Sequence, residues 1–566
     1  MADGQSIEHD AHVVKDWRER PWLLAAILAV AGFLVHIFTD GTSDEPWRAA
    51  FAAAAVFGPL TAAFTLNQER WQSSLIFSGI IALVMAGIAW RAVAAGVGFA
   101  DEEFWVAAGV LASLLSLPLF QAGFHRLRWN TSYKATHFHV WTDAITGAGA
   151  LAFVGISWAL IAILAELFSA IQIDLLKGLL HEEAFGWMFS GATFGAALGV
   201  LRNQLKIIGT LQNVVLLVLS ILAIPLAVAL VLFLLAVMVS GIDVLWGATE
   251  SATPLLLSVA VGCFVLANAV VRDDDDDASK SQILRIAGFV LALGILPLSI
   301  MATISMGTRI AQHGLSPERI WALIAIAVAV AYGIAYFVSA LRGRREGWRG
   351  LLRQSNLHLA VMTAVIALLL AMPIFNFGAI SASNQIARLE SGAVSAEDFD
   401  YAALRWEFGD AGREALAELT EHSDPEIAEF ALAMQKAESL YDSRRTEDVA
   451  LISKVPIEIE DETVRIAVRT FLNDSAYRCQ EMCRVVAIGE LNDQPLMVLL
   501  AQRFDPEFLF YDEAENEVKV AVMRNGQLQE REAYQTPEFD ENSEVELRPF
   551  EGQRLYIDGK PVSGAF

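Results

Sequence analysis

Within the first 380 residues, eleven long apolar stretches follow one another with short polar breaks. They cover 22–38, 47–66, 72–90, 103–120, 142–170, 186–205, 211–239, 253–271, 282–306, 318–340 and 357–380. A helix needs about 20 mostly apolar residues to cross the hydrocarbon core of a bilayer. Backbone amides in lipid must find their partners within the segment or in a closed barrel, and runs this long fit helices. The composition agrees: 55% of residues are hydrophobic, 19% are charged, and the mean hydropathy is +0.45. A soluble domain carries about 25% charged residues. The pattern predicts an α-helical polytopic membrane protein with about 11 transmembrane helices and a lipid bilayer as its solvent.

The net charge of −25 is unevenly spread. Residues 381–566 hold 18 Lys and Arg against 39 Asp and Glu, a net of −21, and the first 380 residues carry only −4. Three regions are therefore expected: a polar N-terminal segment, 1–21; a transmembrane helical domain, 22–380; and an acidic soluble domain, 381–566. No small-residue cleavage site follows the first apolar stretch, so that helix is expected to be retained. An acidic balance without clustered Lys and Arg argues against nucleic acid as a partner.

Basic residues are retained on the cytoplasmic side of a membrane. With the N-terminus inside and eleven alternating spans, the inner segments hold seventeen Lys and Arg, among them Arg20, Arg70, Arg126, Arg202 and the cluster Arg342–Arg353. The outer segments hold five: Arg48, Arg91, Lys177, Arg309 and Arg319. An odd number of spans then places the acidic domain outside the cytoplasm, in the periplasm of a bacterium. The region 142–205 is where the count is least secure. Its centre carries Asp174, Lys177, His181, Glu182 and Glu183, which fits an interfacial helix.

A charge at membrane depth is costly and normally marks an ion or proton path. Few are present. His36 and Glu166 fall toward the outer ends of their spans and Asp143 toward an inner end. His137 and His139, with His125 nearby, lie in an apparent inner loop reading HFHVWTD. A metal site needs several converging ligands, and His-x-His beside Trp141 fits an interfacial role as well. No metal or other cofactor is expected. The run Asp273–Asp277 reads as a solvated loop.

Gly191, Gly195 and Gly199 form GxxxGxxxG, which puts three glycines on one helix face and lets a neighbouring backbone approach. Pro59, Pro118, Pro225, Pro297 and Pro373 fall in or at the ends of apolar spans. They do not pair into two matching halves, as the broken helices of many transporters do.

The acidic domain opens with helical periodicity from 395 to 439, split by the start signal Ser423-Asp424-Pro425, and a helical hairpin is expected. After 450 the texture turns to β-rich runs: 464–472, 483–488, 496–500, 518–523 and 555–557. Asn525-Gly526 is a strong hairpin signal between two of them. The expectation is a soluble α+β domain with its own core. It contains one histidine, His422, and no GxSxG, HExxH or P-loop motif. Cys479 and Cys483, spaced as CQEMC, can approach within disulfide reach in a turn, and in an oxidising compartment they would pair.

Three passages resemble a known family. They are His139-Val140-Trp141, the segment Leu167–Arg202 (LFSAIQIDLLKGLLHEEAFGWMFSGATFGAALGVLR), and the segment Ser383–Leu416 (SNQIARLESGAVSAEDFDYAALRWEFGDAGREAL). They are similar to a bacterial polytopic membrane family catalogued as domain of unknown function 4153. The resemblance implies an inner-membrane protein and brings no activity, ligand or catalytic residue with it.

The leading expectation is a non-enzymatic, envelope-associated scaffold or sensor whose periplasmic domain binds an envelope partner. A transporter or lipid-handling protein would instead need a polar cavity reached by Glu166, Asp143 or His36. A membrane-embedded enzyme acting on a lipid-linked substrate would draw on His137, His139 and Asp143. Oligomeric state is not legible from the sequence.

Overall fold

The computed structural model describes residues 17–40, 45–241, 252–275, 281–343, 347–437, 455–459, 461–475, 483–491, 494–501, 504–512, 517–524, 527–530, 556–557 and 560–561. The chain divides into two compact units. One comprises Met1–Ser395 with Glu407–Ala415, and the other Ala396–Trp406 with Leu416–Phe566. The boundary expected at 381 falls inside a helix, Phe377–Glu390, that belongs to the first unit.

Among the described residues of the first unit, eleven helices are long and apolar enough to cross a membrane. They are α1 Arg20–Thr39, α2 Pro46–Thr65, α3 Trp71–Ala95, α4 Glu102–Gln121, α5 Tyr133–Ser169, α6 Glu183–Asn203, α7 Leu205–Ser240, α8 Ala252–Val271, α9 Gln282–His313, α10 Pro317–Arg342 and α11 Trp348–Ala371. Local chemistry sets several starts. Pro46 and Pro317 occupy the first positions of α2 and α10, where a missing N–H costs no hydrogen bond. Ser316 adds a side-chain cap that accepts from the Arg319 N–H. A short helix, Leu175–His181, stands between α5 and α6, in the stretch where an interfacial helix was expected.

Among the described residues, apolar clusters hold this unit together. Leu24, Leu28, Ala63, Ala150 and Leu198 join α1, α2, α5 and α6. Ile81, Met85, Ile88, Trp105 and Ala371 join α3, α4 and α11. Leu256, Cys263, Leu291, Leu298, Ile326, Tyr336 and Leu352 join α8 to α11, with Ala223 and Leu230 of α7. The face of α6 built from Gly191, Gly195 and Gly199 lies against the backbone of α1. A Cβ on Gly191 would overlap the Leu28 carbonyl oxygen, one on Gly195 the Leu24 carbonyl oxygen, and one on Gly199 would stand 2.5 Å from the Pro21 Cα.

Several sequence expectations need correction. The His137–Asp143 stretch is not a loop, because α5 begins at Tyr133 and carries it in its first turns. The last span is Trp348–Ala371 rather than 357–380, since Pro373 cannot continue the helix and Asn376 caps a new one by accepting from the Ala379 N–H. The run Asp273–Asp277 is not simply solvated over its described part: Asp274 pairs with Lys134 at 2.7 Å, and Asp275 with Arg353 at 3.1 Å. In the second unit, the stretch 464–472 is helical, within Glu462–Asp474, rather than a strand. Asp461 caps that helix by accepting from the Thr463 and Val464 N–H groups. Its buried Val464, Val468 and Leu472 recur every four residues, a helical period that outweighs their β-branched character.

The second unit contains a six-stranded sheet in the order β1 Ile457–Glu458, β2 Cys483–Leu491, β3 Gln494–Ala501, β4 Phe504–Asp512, β5 Glu517–Arg524 and β6 Gln527–Glu530. β1 and β2 are parallel, with Ile457 opposite Val485, and the later strands are antiparallel neighbours. Parallel neighbours require a crossover connection, and the helix Glu462–Asp474 lies in it. Val464, Val468 and Leu472 bury against Val485, Met497, Leu499 and Leu509, which gives the unit its own apolar core. Asn525-Gly526 lies outside the described residues; the strands flanking it pair in antiparallel register, Arg524 opposite Gln527. The described part of the segment 395–439, which is shared between the two units, holds three helices rather than a two-helix hairpin: Tyr401–Trp406, Gly409–Leu419 and Pro425–Lys436. The third starts where Ser423-Asp424-Pro425 predicts, with Asp424 accepting from the Glu426 N–H.

Candidate functional site

The ends of α1 to α7 that meet at one side of the helical unit enclose a cavity of about 160 Å³. Alternation of the helices brings together the first residues of α1, α3, α5 and α7 and the last residues of α2, α4 and α6. Arg20 comes from the start of α1, Thr65 from the end of α2, and Ser73 and Ser74 from the first turn of α3. Gln121 closes α4, Arg202 lies one residue before the end of α6, and Leu205 opens α7. Arg70 sits in the connection before α3, and His125 and Arg126 lie in the connection after α4.

α5 contributes His139 and Asp143, four residues apart and therefore on one helix face. His137 is two residues from His139, so the helix turns it to another face. It is buried, and its ring packs beside Tyr133 and Trp141 at centroid distances of 5.7 and 6.3 Å. The three groups required by a His137–His139–Asp143 constellation do not line one cavity. Among the described residues, no group of three or more His, Cys, Asp and Glu converges as a metal site would require.

The walls are held by hydrogen bonds that also fix the arginines. Arg20 Nη1 donates to the Arg202 carbonyl at 3.0 Å and to Asn203 Oδ1 at 2.9 Å. Arg202 Nη1 donates to the Ala63 carbonyl. Gln121 Nε2 donates to the Phe64 carbonyl at 2.9 Å and to Asp143 Oδ1 at 3.2 Å, which ties α4 to α2 and α5. Ser74 Oγ donates to the Thr65 carbonyl at 2.9 Å across the α2–α3 turn. The His125 ring stacks on Phe120 at 4.8 Å. Burial, with Arg126 and Arg70 nearby, holds the His125 imidazole below its ordinary pKa, so it favours the neutral form. Four arginines face one carboxylate around the cavity, which leaves it strongly positive.

The other residues singled out from the sequence lie elsewhere. Glu166 is in the last turn of α5, largely exposed, and pairs with Lys177 at 3.0 Å. His36 lies near the opposite end of α1 from Arg20. Cys483, at the start of β2, is disulfide-bonded, and Cys263 is a buried free thiol. Cys479 lies outside the described residues. Sequence reasoning missed Arg20, Arg70, Arg126, Arg202 and Gln121 as site residues and used the arginines only as markers of sidedness. The available signal was their recurrence, one at every second junction between successive apolar stretches.

A second polar cluster lies between α5, α8, α10 and α11. Tyr133, Asn268, Tyr336 and Asn356 form a closed hydrogen-bonded set with donor–acceptor distances from 2.6 to 3.5 Å. Asn268 also donates to the Phe264 carbonyl at 2.8 Å, so this set satisfies its members internally and presents a structural lock rather than a site.

These features define a polytopic α-helical protein of membrane character, with a second unit built around a mixed sheet. Residues 49–419 match the profile of the family described as domain of unknown function (DUF4153), and the chain belongs to that family. No curated protein and no solved structure matches it.

Proposed function

We propose that the chain is a non-enzymatic, multi-pass protein of a bacterial inner membrane, which presents its acidic C-terminal unit outside the cytoplasm as a partner-binding domain. The observation that carries this reading is the second compact unit with its own apolar core. It belongs to the part of the chain that concentrates acidic charge, with a net of −21 over residues 381–566. Eleven spans and the bias of Lys and Arg toward one set of connections support a cytoplasmic N-terminus and an extracytoplasmic C-terminus. The disulfide-bonded state of Cys483 supports the same side, because such bonds persist in oxidising compartments; Cys479 is the partner we propose.

The rival readings fare unevenly. Transport through a path reached by Glu166, Asp143 and His36 has only Asp143 at the cavity, while Glu166 is paired at the surface. An enzyme on a lipid-linked substrate would have to work without His137.

The test is crosslinking in intact cells followed by purification of the full chain. Envelope proteins crosslinked through residues beyond Ser395 support the proposal. An interactome unchanged by deletion of the C-terminal unit refutes it. Topology is read separately by a membrane-impermeant thiol reagent. Labelling of Cys479 and Cys483 in intact cells only after reduction supports the extracytoplasmic placement, and full labelling without reductant by a permeant reagent alone refutes it.

A further inference from the structure

We propose that the cavity among the ends of α1 to α7 binds the phosphate group of an anionic ligand, and that the ligand is an anionic phospholipid headgroup. This goes beyond the scaffold reading and rests on it only for the placement of these helix ends on the cytoplasmic side.

Four arginines give the cavity its positive charge. Arg20 and Arg202 are fixed by backbone and side-chain acceptors within the walls. Arg70 and Arg126 lie at the exposed mouth, and among the described residues neither guanidinium has a hydrogen-bond or ion-pair partner. A guanidinium offers paired donors that match phosphate oxygens. Two free ones over two fixed ones form a cationic cradle with its inner half already preorganised. The first turn of α3 lines the same cavity through Ser73 and Ser74, so the positive end of that helix adds to the field.

The cavity opens where seven membrane-spanning helices end, at the level a headgroup occupies, and basic pockets between such helices on the cytoplasmic side suit anionic headgroups. Phe120, Phe138 and Leu205 line it beside the arginines, so an apolar wall is available to the glycerol and first acyl carbons.

Asp143 is the one acidic side chain among the residues that line the cavity. Its Oδ1 accepts from Gln121, and its Oδ2 is buried without a hydrogen-bond partner among the described residues. A carboxylate there repels a bound anion. Neutralising it should strengthen phosphate binding, whereas a residue that merely holds the fold would weaken it on substitution.

The experiment uses the full chain in detergent and measures binding of phosphatidylglycerol, phosphatidylcholine, glycerol 1-phosphate and inorganic phosphate by native mass spectrometry and thermal shift. Phosphatidylglycerol is expected to bind at least about tenfold more tightly than phosphatidylcholine. The paired variant Arg70→Gln/Arg126→Gln should lose about tenfold or more, as removal of two charge-assisted hydrogen bonds requires. Arg285→Gln/Arg342→Gln removes the same charge away from the cavity and should change nothing. Asp143→Asn should bind more tightly, and it tests the site independently should the paired arginine variant fold poorly. Binding of glycerol 1-phosphate or inorganic phosphate at the cavity with no preference for the lipid would keep the phosphate site and overturn the lipid as its source. Equal weakening by both arginine pairs, weaker binding in Asp143→Asn, or no binding of any phosphate compound would overturn the proposal.

Discussion

The hydroxyl of Tyr336 donates to Asn356 Oδ1 at 2.6 Å and accepts from Asn268 Nδ2 at 2.7 Å, so one buried oxygen joins α8, α10 and α11. Removing it leaves an amide donor and an amide acceptor without their partner in an apolar interior. Tyr336→Phe should therefore lower stability by about 1–3 kcal/mol. Tyr332 provides the control, because its hydroxyl makes only a 3.5 Å contact with Thr363. Thermal unfolding of both variants in detergent should show a clear loss for Tyr336→Phe and a small one for Tyr332→Phe. Equal losses would mean that ring packing, not the polar set, holds these helices.

Span number was open to sequence reasoning because hydrophobic length is a property of single segments. The three-dimensional sites were not. Arg20 and Arg202 are 182 positions apart and meet through Arg20 Nη1 and the Arg202 carbonyl, a contact set by how α1 crosses α6. His139 and Asp143 separate from His137 only once Tyr133, rather than residue 142, is known to lie at the helix start. The stretch 464–472 shows the opposite failure. β-branched residues suggested a strand, and the fourfold period of Val464, Val468 and Leu472 with the cap at Asp461 was the stronger signal.

The α1–α6 contact is a backbone-to-backbone approach, and Gly195 is its centre. Even a methyl group there would overlap the Leu24 carbonyl, so Gly195→Ala should destabilise and Gly195→Leu should abolish normal packing. Gly209, in α7, has no other atoms within 4 Å of a built Cβ, and Gly209→Ala should be neutral or slightly stabilising. Expression level and detergent half-life decide the matter. Indistinguishable behaviour of the two alanine variants would show that α1 can move away from α6 at no cost.

Arg353 closes the C-terminal end of α8 from 82 positions away. Its Nη2 donates to the Val271 carbonyl at 2.7 Å, Nε to the Arg272 carbonyl at 3.0 Å, and Nη1 to Asp275 Oδ1 at 3.1 Å. Helix-end carbonyls lack intrahelical partners, and a fork of fixed donors satisfies two of them while adding positive charge where the dipole favours it. Arg353→Lys keeps the charge and loses the fork. A loss of about 1–3 kcal/mol is expected, mostly from the buried carbonyls, since the Asp275 side chain is 59% exposed and an exposed carboxylate contributes little. Full stability in Arg353→Lys would assign the effect to charge alone.

Asp101 carries the clearest pH dependence. It precedes α4 with φ of 59°, and its Oδ2 is buried without a hydrogen-bond partner among the described residues. Burial first, and then the neighbouring carboxylates of Glu318, Glu102, Glu103 and Glu407, push its pKa up to about 7. An unfolded aspartate titrates near 3.9. Between these values the folded state holds a proton that the unfolded state has lost, so stability falls as pH rises from about 4 to about 7 and levels off above. Asp101→Asn cannot ionise, keeps a side chain suited to the left-handed backbone, and removes this contribution. The melting temperature of the native chain should therefore drop relative to Asp101→Asn as pH rises from 5 to 8, with the variant the more stable at the alkaline end. Parallel profiles for the two proteins would mean that Asp101 is already ionised at pH 5 and that solvent reaches its carboxylate.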